Sequence, residues 1–379
     1  MNVTGLFAGV GGLERGLAAA GHHTVAVSEV WRPASAVLAA RIDAPNLGDV
    51  TLLRDLPGET ELLAGGFPCQ DLSQAGRTAG IGGAKSGLVE SVFALLDRRP
   101  VPWVLLENVP FMLRLDGGAA MARLVQAFED RDYRWAYRVV NSLSFVPQRR
   151  ERVFFLASRE GDPTEVLFAD DVPFRQPETS LSTHAHGFYW TEGLRGLGWA
   201  PDAVPPFKNG STVGIPSPPA IVLPNRNVVT PDIRDAERLQ GMPEGWTEPA
   251  EAVGRSSWRW SLVGNAVTAP VAEWIGRRLT SPGEATCRLD ELERRWPTAA
   301  CFDGARRWRA DVGPFPTWEP RPPLHEFLAY PGKPLSVRAT AGFLSRAARS
   351  SLRFPEGFLE TLSLHLQRWD EDGAMRQAA

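Results

Sequence analysis

Cysteine, lysine and tyrosine are scarce in this chain of 379 residues, which has three cysteines, three lysines and four tyrosines. Cys69, Cys287 and Cys301 are too few, and odd in number, for a disulfide framework, and no pair has metal-ligand spacing. That excludes a cystine-stapled scaffold and predicts no metal. No run of about 18 apolar residues occurs, so no membrane-spanning helix and no membrane partner are expected. The opening Met-Asn-Val-Thr-Gly-Leu-Phe lacks the charged region, apolar stretch and cleavage site of a signal peptide. A cytoplasmic location is the expectation. Excess positive charge is missing too: the net charge is −3 and the pI about 6.1. That is not the usual basic footprint of a nucleic-acid-binding domain, although a locally basic cleft is compatible with it. The cations are almost all arginine, with Lys85, Lys208 and Lys333 the exceptions. No internal repeat is present.

What is there suits a folded protein of two or three domains, 43% apolar and 22% charged. Short apolar runs predict strands at Asn2–Phe7, Thr24–Ser28, Glu61–Gly65, Val101–Glu107, Ala136–Asn141 and Arg152–Ala157. Helical stretches fall between them at Leu13–Ala20, Arg32–Arg41, Leu88–Asp97 and Ala119–Asp130. This alternation argues for a doubly wound α/β domain. From residue 160 to 225 the chain is rich in Pro, Gly, Ser and Thr and reads as an irregular strand-and-loop module. From Ala269 to Leu279 the side chains of Val271, Trp274, Ile275 and Leu279 share one helical face. The predicted division is a first domain over 1–159, completed by 263–280, a second region over 160–262, and a helical extension over 281–379. In that extension a helix between Ser336 and Phe354 would carry Arg338, Arg346, Arg349 and Arg353 on one face, followed by a second helix from Pro355.

Phe7-Ala8-Gly9-Val10-Gly11-Gly12-Leu13-Glu14 joins the first strand to the first helix, and its glycines permit a tight turn and close approach of a ligand to backbone N–H groups. Such a turn also forms without any ligand. Glu29, about 20 residues on, ends the second strand, where a carboxylate can hold ribose hydroxyls. The spacing is not that of a nicotinamide dehydrogenase loop. Gly65-Gly66-Phe67-Pro68-Cys69-Gln70-Asp71 follows a strand ending at the same sheet edge, so Cys69 sits in a glycine- and proline-held loop rather than a core. Glu107-Asn108-Val109 ends an apolar strand; burial there would raise the Glu107 pKa and make it a candidate acid. Pro147-Gln148-Arg149-Arg150-Glu151-Arg152-Val153-Phe154 reads as a solvated charge cluster in which Arg152, leading into the strand, is the functional candidate.

In this order, FAGVGG, GGFPCQDLS, ENV, PQRRERVF, ERLQGMP and LVGNAV resemble the cytosine-C5 DNA methyltransferase family of bacterial restriction-modification or defence type, across residues 5 to about 279. The resemblance implies a Rossmann-like methyltransferase domain, a small target-recognition domain over 160–262 and a helical tail. It implies S-adenosyl-L-methionine as cofactor, S-adenosyl-L-homocysteine as product, double-stranded DNA as substrate, a cognate restriction or defence protein as partner, and a nucleoid-associated monomer. By the same resemblance Phe7, Gly9, Val10, Gly11 and Gly12 wrap the cofactor. Glu29 takes its ribose, Trp31 its adenine and Asp49 the adenine amino edge, Val50 also binds the cofactor, and Asn265 and Val267 close the site. Cys69 is the nucleophile, flanked by Pro68 and Gln70; Glu107, with Asn108 beside it, faces cytosine N3 and Arg152 faces O2.

Three departures stand out: Gly5 where many relatives carry an acid, Ala75 where some carry a polar residue, and Ala84-Lys85-Ser86-Gly87 where Asp-x-Arg-Gly is common. A tRNA-modifying branch carries Cys-Phe-Thr in its recognition region; residues 160–262 hold no cysteine. A catalytically silent DNA-binding relative would not need Cys69, Glu107 and Arg152 intact.

Overall fold

The computed structural model describes residues 1–67, 88–194, 196–208 and 218–378, with side chains as far as Arg368. The chain forms two compact units. The first comprises residues 1–144, 151–173 and 266–318, and the second residues 145–150, 174–265 and 319–379.

The first unit is built on a mixed sheet. Its leading strands are β1 (Asn2–Leu6), β2 (His23–Ser28), β3 (Leu62–Gly66), β4 (Trp103–Asn108), β5 (Arg134–Asn141) and β6 (Glu151–Ser158). β2, β1, β3 and β4 lie side by side in parallel, and β6 and β5 continue the sheet antiparallel. The helices are α1 (Gly12–Ala19), α2 (Arg32–Arg41), α3 (Leu88–Arg98), α4 (Ala119–Glu129) and α5 (Ala269–Thr280). Strand side chains alternate between the two faces. Leu63, Val104, Leu106 and Trp135 pack with Val92, Phe93 and Leu96 of α3 and Leu124 and Phe128 of α4. Each such buried side chain contributes about 1.5–3 kcal/mol. α5 lies against α1 because two glycines let the backbones approach. A Cβ on Gly12 would stand 2.5 Å from the Val267 carbonyl oxygen, and one on Gly16 would stand 2.6 Å from the Ala272 Cβ.

Beyond β5 three more antiparallel strands, Ala299–Phe302, Arg307–Ala310 and Leu289–Glu291, extend this sheet. The segment read as one helical extension therefore begins as sheet, and only residues 319–379 belong to the second unit. The physical reason is the edge of β5, whose N–H and C=O groups would otherwise lack partners. Arg138 of β5 fastens the addition. Fully buried, it donates from Nε to Gly313 O (2.7 Å), from Nη1 to Leu167 O (2.9 Å) and from Nη2 to Asp171 Oδ1 (2.8 Å). Burial draws its pKa down to about 10, which leaves it charged at neutral pH.

The second unit holds a five-stranded antiparallel sheet of short strands in the order Lys333–Pro334, Val228–Thr230, Ala220–Val222, His186–Phe188, Trp199–Pro201. Helices Val337–Ala347 and Phe358–Ala378 cover it through Phe343, Phe358 and Leu362, packed on Phe188, Val222 and Val228. The predicted arginine face does not form. Its helix stops at Ala347, where the Ser350 hydroxyl takes the Ala347 carbonyl (3.0 Å), so Arg349 and Arg353 lie outside it. Arg346 is tied to the Trp190 carbonyl. No helix among the described residues is long and apolar enough to cross a membrane.

Candidate active site

β1 delivers the chain into the glycine-rich turn at the carboxyl edge of the sheet. Gly9 and Gly11 hold φ of 57° and 80°, and Phe7 holds 54°, a left-handed conformation that costs a non-glycine residue energy and marks functional turns. The Gly11 N–H closes the turn on the Ala8 carbonyl at 2.9 Å, and Val10 is buried beneath it. Glu29, just after β2, braces the turn from the neighbouring strand. Its Oε2 accepts from Gly9 N–H (2.8 Å) and its Oε1 from Trp31 N–H (2.7 Å). A carboxylate has about four acceptor sites, so Glu29 retains capacity for ligand hydroxyls. Trp31, half-buried, caps α2. Asp49 caps the short turn of helix Val50–Leu52, accepting from Thr51 N–H (2.9 Å) and Thr51 Oγ1 (2.8 Å), with Val50 buried below. Val267 lies on Gly12 in the first unit, whereas Asn265 is the exposed last residue of helix Trp258–Asn265 in the second.

Two strands along, β4 ends in Glu107-Asn108. Arg152 Nε lies 2.9 Å from Glu107 Oε1, with side-chain exposures of 15% and 11%. Gly66 faces Glu107 on β3; a Cβ there would stand 3.2 Å from Glu107 Oε2, so glycine leaves the carboxyl room. Asn108 donates from Nδ2 to the Phe67 carbonyl (2.9 Å) and accepts from Val109 N–H (2.8 Å). It thereby fixes the point from which the next segment departs. Pro68, Cys69 and Gln70 lie outside the described residues, as do Ala75 and residues 84–87.

In the second unit one member of the charge cluster, Arg150, proves to be framework. Arg150, 1% exposed, donates to Phe207 O (3.0 Å) and Gly264 O (3.1 Å). Gln148 reaches Leu239 O (2.8 Å) and Gln240 reaches Val263 O (2.8 Å). These bonds gather the PQRRER, ERLQGMP and LVGN segments in one place. Glu237 adds a buried pair with Arg259 at 2.9 Å.

One residue escaped notice in the sequence. Glu14, in the first turn of α1, is 1% exposed, and neither carboxyl oxygen has a hydrogen-bond partner among the described residues beyond its own nearby amide. Burial first, then the Glu29 charge, push its pKa up to about 7. The legible signal was an acid within the buried stripe Gly12, Leu13, Gly16, Leu17.

A family model described as C-5 cytosine-specific DNA methylase matches residues 1–191. The chain is 45% identical over 380 residues to the Type II methyltransferase M2.BsuMI of Bacillus subtilis (strain 168), covering 96% of this chain and 97% of that one. It is 26% identical to the Type II methyltransferase M.DsaV of Dactylococcopsis salina, over 76% and 88% of the two chains. In fold it is similar to the S. pombe Dnmt2 methyltransferase, with a TM-score of 0.53 and 17% identity over 74% of this chain and 98% of that one. The Entamoeba histolytica methyltransferase EhMeth gives 0.52 and 12% over 73% and 96%. The α/β fold, the motif order and these likenesses agree: the chain belongs to the C-5 cytosine-specific DNA methylases and is a DNA (cytosine-5-)-methyltransferase.

Proposed function

We propose that the chain methylates carbon 5 of a cytosine flipped out of duplex DNA, through a covalent bond between Cys69 and carbon 6 of the ring. The observation that carries this reading is the Glu107–Arg152 pair, held beside the Asn108–Phe67 bond from which the Cys69 segment departs. Cytosine C5 is too weak a nucleophile to accept a methyl group unaided. Addition of the Cys69 thiolate at C6 forms the S–C6 bond and moves the C5–C6 π electrons into the ring, raising density at C5. Glu107 meets ring N3 and Arg152 meets O2, where negative charge accumulates during the attack. S-adenosyl-L-methionine supplies the methyl group and leaves as S-adenosyl-L-homocysteine. A base then takes the C5 proton, the S–C6 bond breaks, and aromaticity returns. The ring must leave the stack, because C6 is inaccessible within a duplex.

The residues of the first unit fit that cofactor. The positive-φ glycines of the turn carry no side chain to bar the close approach of a ligand to the backbone. Glu29 would hold the ribose, Trp31, Asp49 and Val50 would line the adenine, and Phe7 and Val267 would bound the site. We assign target recognition to the second unit, and the likeness to Type II methyltransferases supports a restriction-modification setting with a cognate endonuclease. Incubation with methyl-labelled S-adenosylmethionine and either duplex DNA or tRNA tests the substrate. Label should enter duplex DNA as 5-methylcytosine; label entering tRNA alone would overturn the reading.

A further inference from the structure

We propose that the Glu14 carboxylate receives the α-ammonium group at the amino-acid end of the cofactor, in space that Gly5 leaves open. This rests on the cofactor reading above. Glu14 is the third residue of α1, and helical side chains lean back toward the N-terminus. Its carboxyl accordingly lies against the end of β1. A Cβ on residue 5 would collide with Glu14 Oε1 and stand 2.9 Å from its Cδ. Glycine at 5 and glutamate at 14 thus depend on each other: the carboxyl occupies the space that a side chain at position 5 would need.

The place in the sheet selects the ligand group. The strand order runs β2, β1, β3, β4. Glu29 and Trp31, assigned to the adenosine, follow β2, while Glu107, assigned to the reacting base, ends β4. A cofactor bridging them would cross the end of β1, near Gly5 and Glu14. Its central portion bears the sulfonium, from which the amino-acid arm carrying the second cationic group, the α-ammonium, branches. Both Glu14 oxygens lie out of reach of solvent and, apart from the residue's own amide, lack partners among the described residues. A buried carboxylate in that state needs N–H donors. An ammonium brings three and a sulfonium none. Glu29 is the charged group that acts on Glu14, and as a like charge it cannot satisfy it. The raised pKa is the energetic counterpart of the missing donor, and binding of a cation would expel the proton that burial retains.

Titration calorimetry separates this assignment from its alternatives. S-adenosylhomocysteine has the ammonium without the sulfonium, and 5′-methylthioadenosine lacks the whole amino-acid end. Glu14→Gln should weaken S-adenosylhomocysteine binding by about 10- to 100-fold, the range for a hydrogen bond to a charged group. It should leave 5′-methylthioadenosine affinity unchanged. Wild type should release a proton on binding S-adenosylhomocysteine at pH 6.5, and Glu14→Gln should not. The double variant Gly5→Asp/Glu14→Ala, which moves the carboxylate to position 5, should recover most of the affinity. Unchanged S-adenosylhomocysteine affinity in Glu14→Gln overturns the assignment, as does an equal loss of both ligands. If wild type binds neither ligand, the assignment falls together with the cofactor reading.

Discussion

Arg152 of β6 and Glu107 of β4 meet at 2.9 Å across two antiparallel strands, at the edge where Asn108 holds the Phe67 carbonyl. Replacing a buried ion pair by apolar residues is often neutral or stabilising, so a pair at this sheet edge suits a role toward a ligand.

Glu107→Gln should therefore lower the single-turnover methylation rate by roughly 10²–10⁴-fold, the range for a positioned acid. S-adenosylhomocysteine affinity should stay at the wild-type value. A normal single-turnover rate would reduce Glu107 to a structural residue.

Asn108→Ala removes the donor to Phe67 and leaves a buried carbonyl unsatisfied, at a cost of about 1–3 kcal/mol. Thermal melting should show that loss. Adduct formation should slow further than the stability change explains, because the Cys69 segment loses its anchor. Loss of stability with an unaltered adduct rate would show that the anchor does not matter to the chemistry.

Gly16→Ala pits helix propensity against packing. Alanine is favoured over glycine in a helix interior by about 1 kcal/mol. Here the added Cβ would meet the Ala269 carbonyl and the Ala272 side chain of α5. The variant should melt below wild type, and a higher melting temperature would contradict the close α1–α5 approach.

Glu14 makes stability depend on pH. Its carboxyl is raised from 4.5 to about 7 in the folded protein, so the folded state binds this proton more tightly than the unfolded state. That contribution is fully present below the unfolded value and is lost as pH rises through the folded one, to a total of about 3 kcal/mol. Without cofactor, Glu14→Gln should gain stability relative to wild type between pH 5 and pH 8. A difference that does not change with pH would show that Glu14 does not titrate in this range.

Much of the first unit was legible. Strands β1 to β6 lie within two residues of the predicted runs, because buried strands between helices leave apolar blocks of strand length. What stayed hidden was shaped by tertiary context. The strands Leu289–Glu291 and Arg307–Ala310 are short and charged, and they add in turn to Ala299–Phe302, the strand that takes the edge of β5. Arg150 looked like a surface charge because its partners, Phe207 and Gly264, are distant in sequence. Within the site, the glycine-rich turn was readable from composition. The bracing of that turn by both oxygens of Glu29, and the fit of Glu14 against Gly5, required three-dimensional neighbours that no periodicity encodes.

A covalent role for Cys69 is open to direct trapping. Duplex DNA containing 5-fluorocytosine cannot lose its C5 substituent as a proton, so an enzyme working through a C6 adduct becomes trapped on it. Wild type with S-adenosylmethionine should form a denaturation-resistant protein–DNA complex, and peptide mass spectrometry should locate the link at Cys69. Cys69→Ser should remain folded and form none. A trapped complex linked at another residue, or methylation of ordinary duplex DNA by Cys69→Ser at near the wild-type rate, would contradict the mechanism.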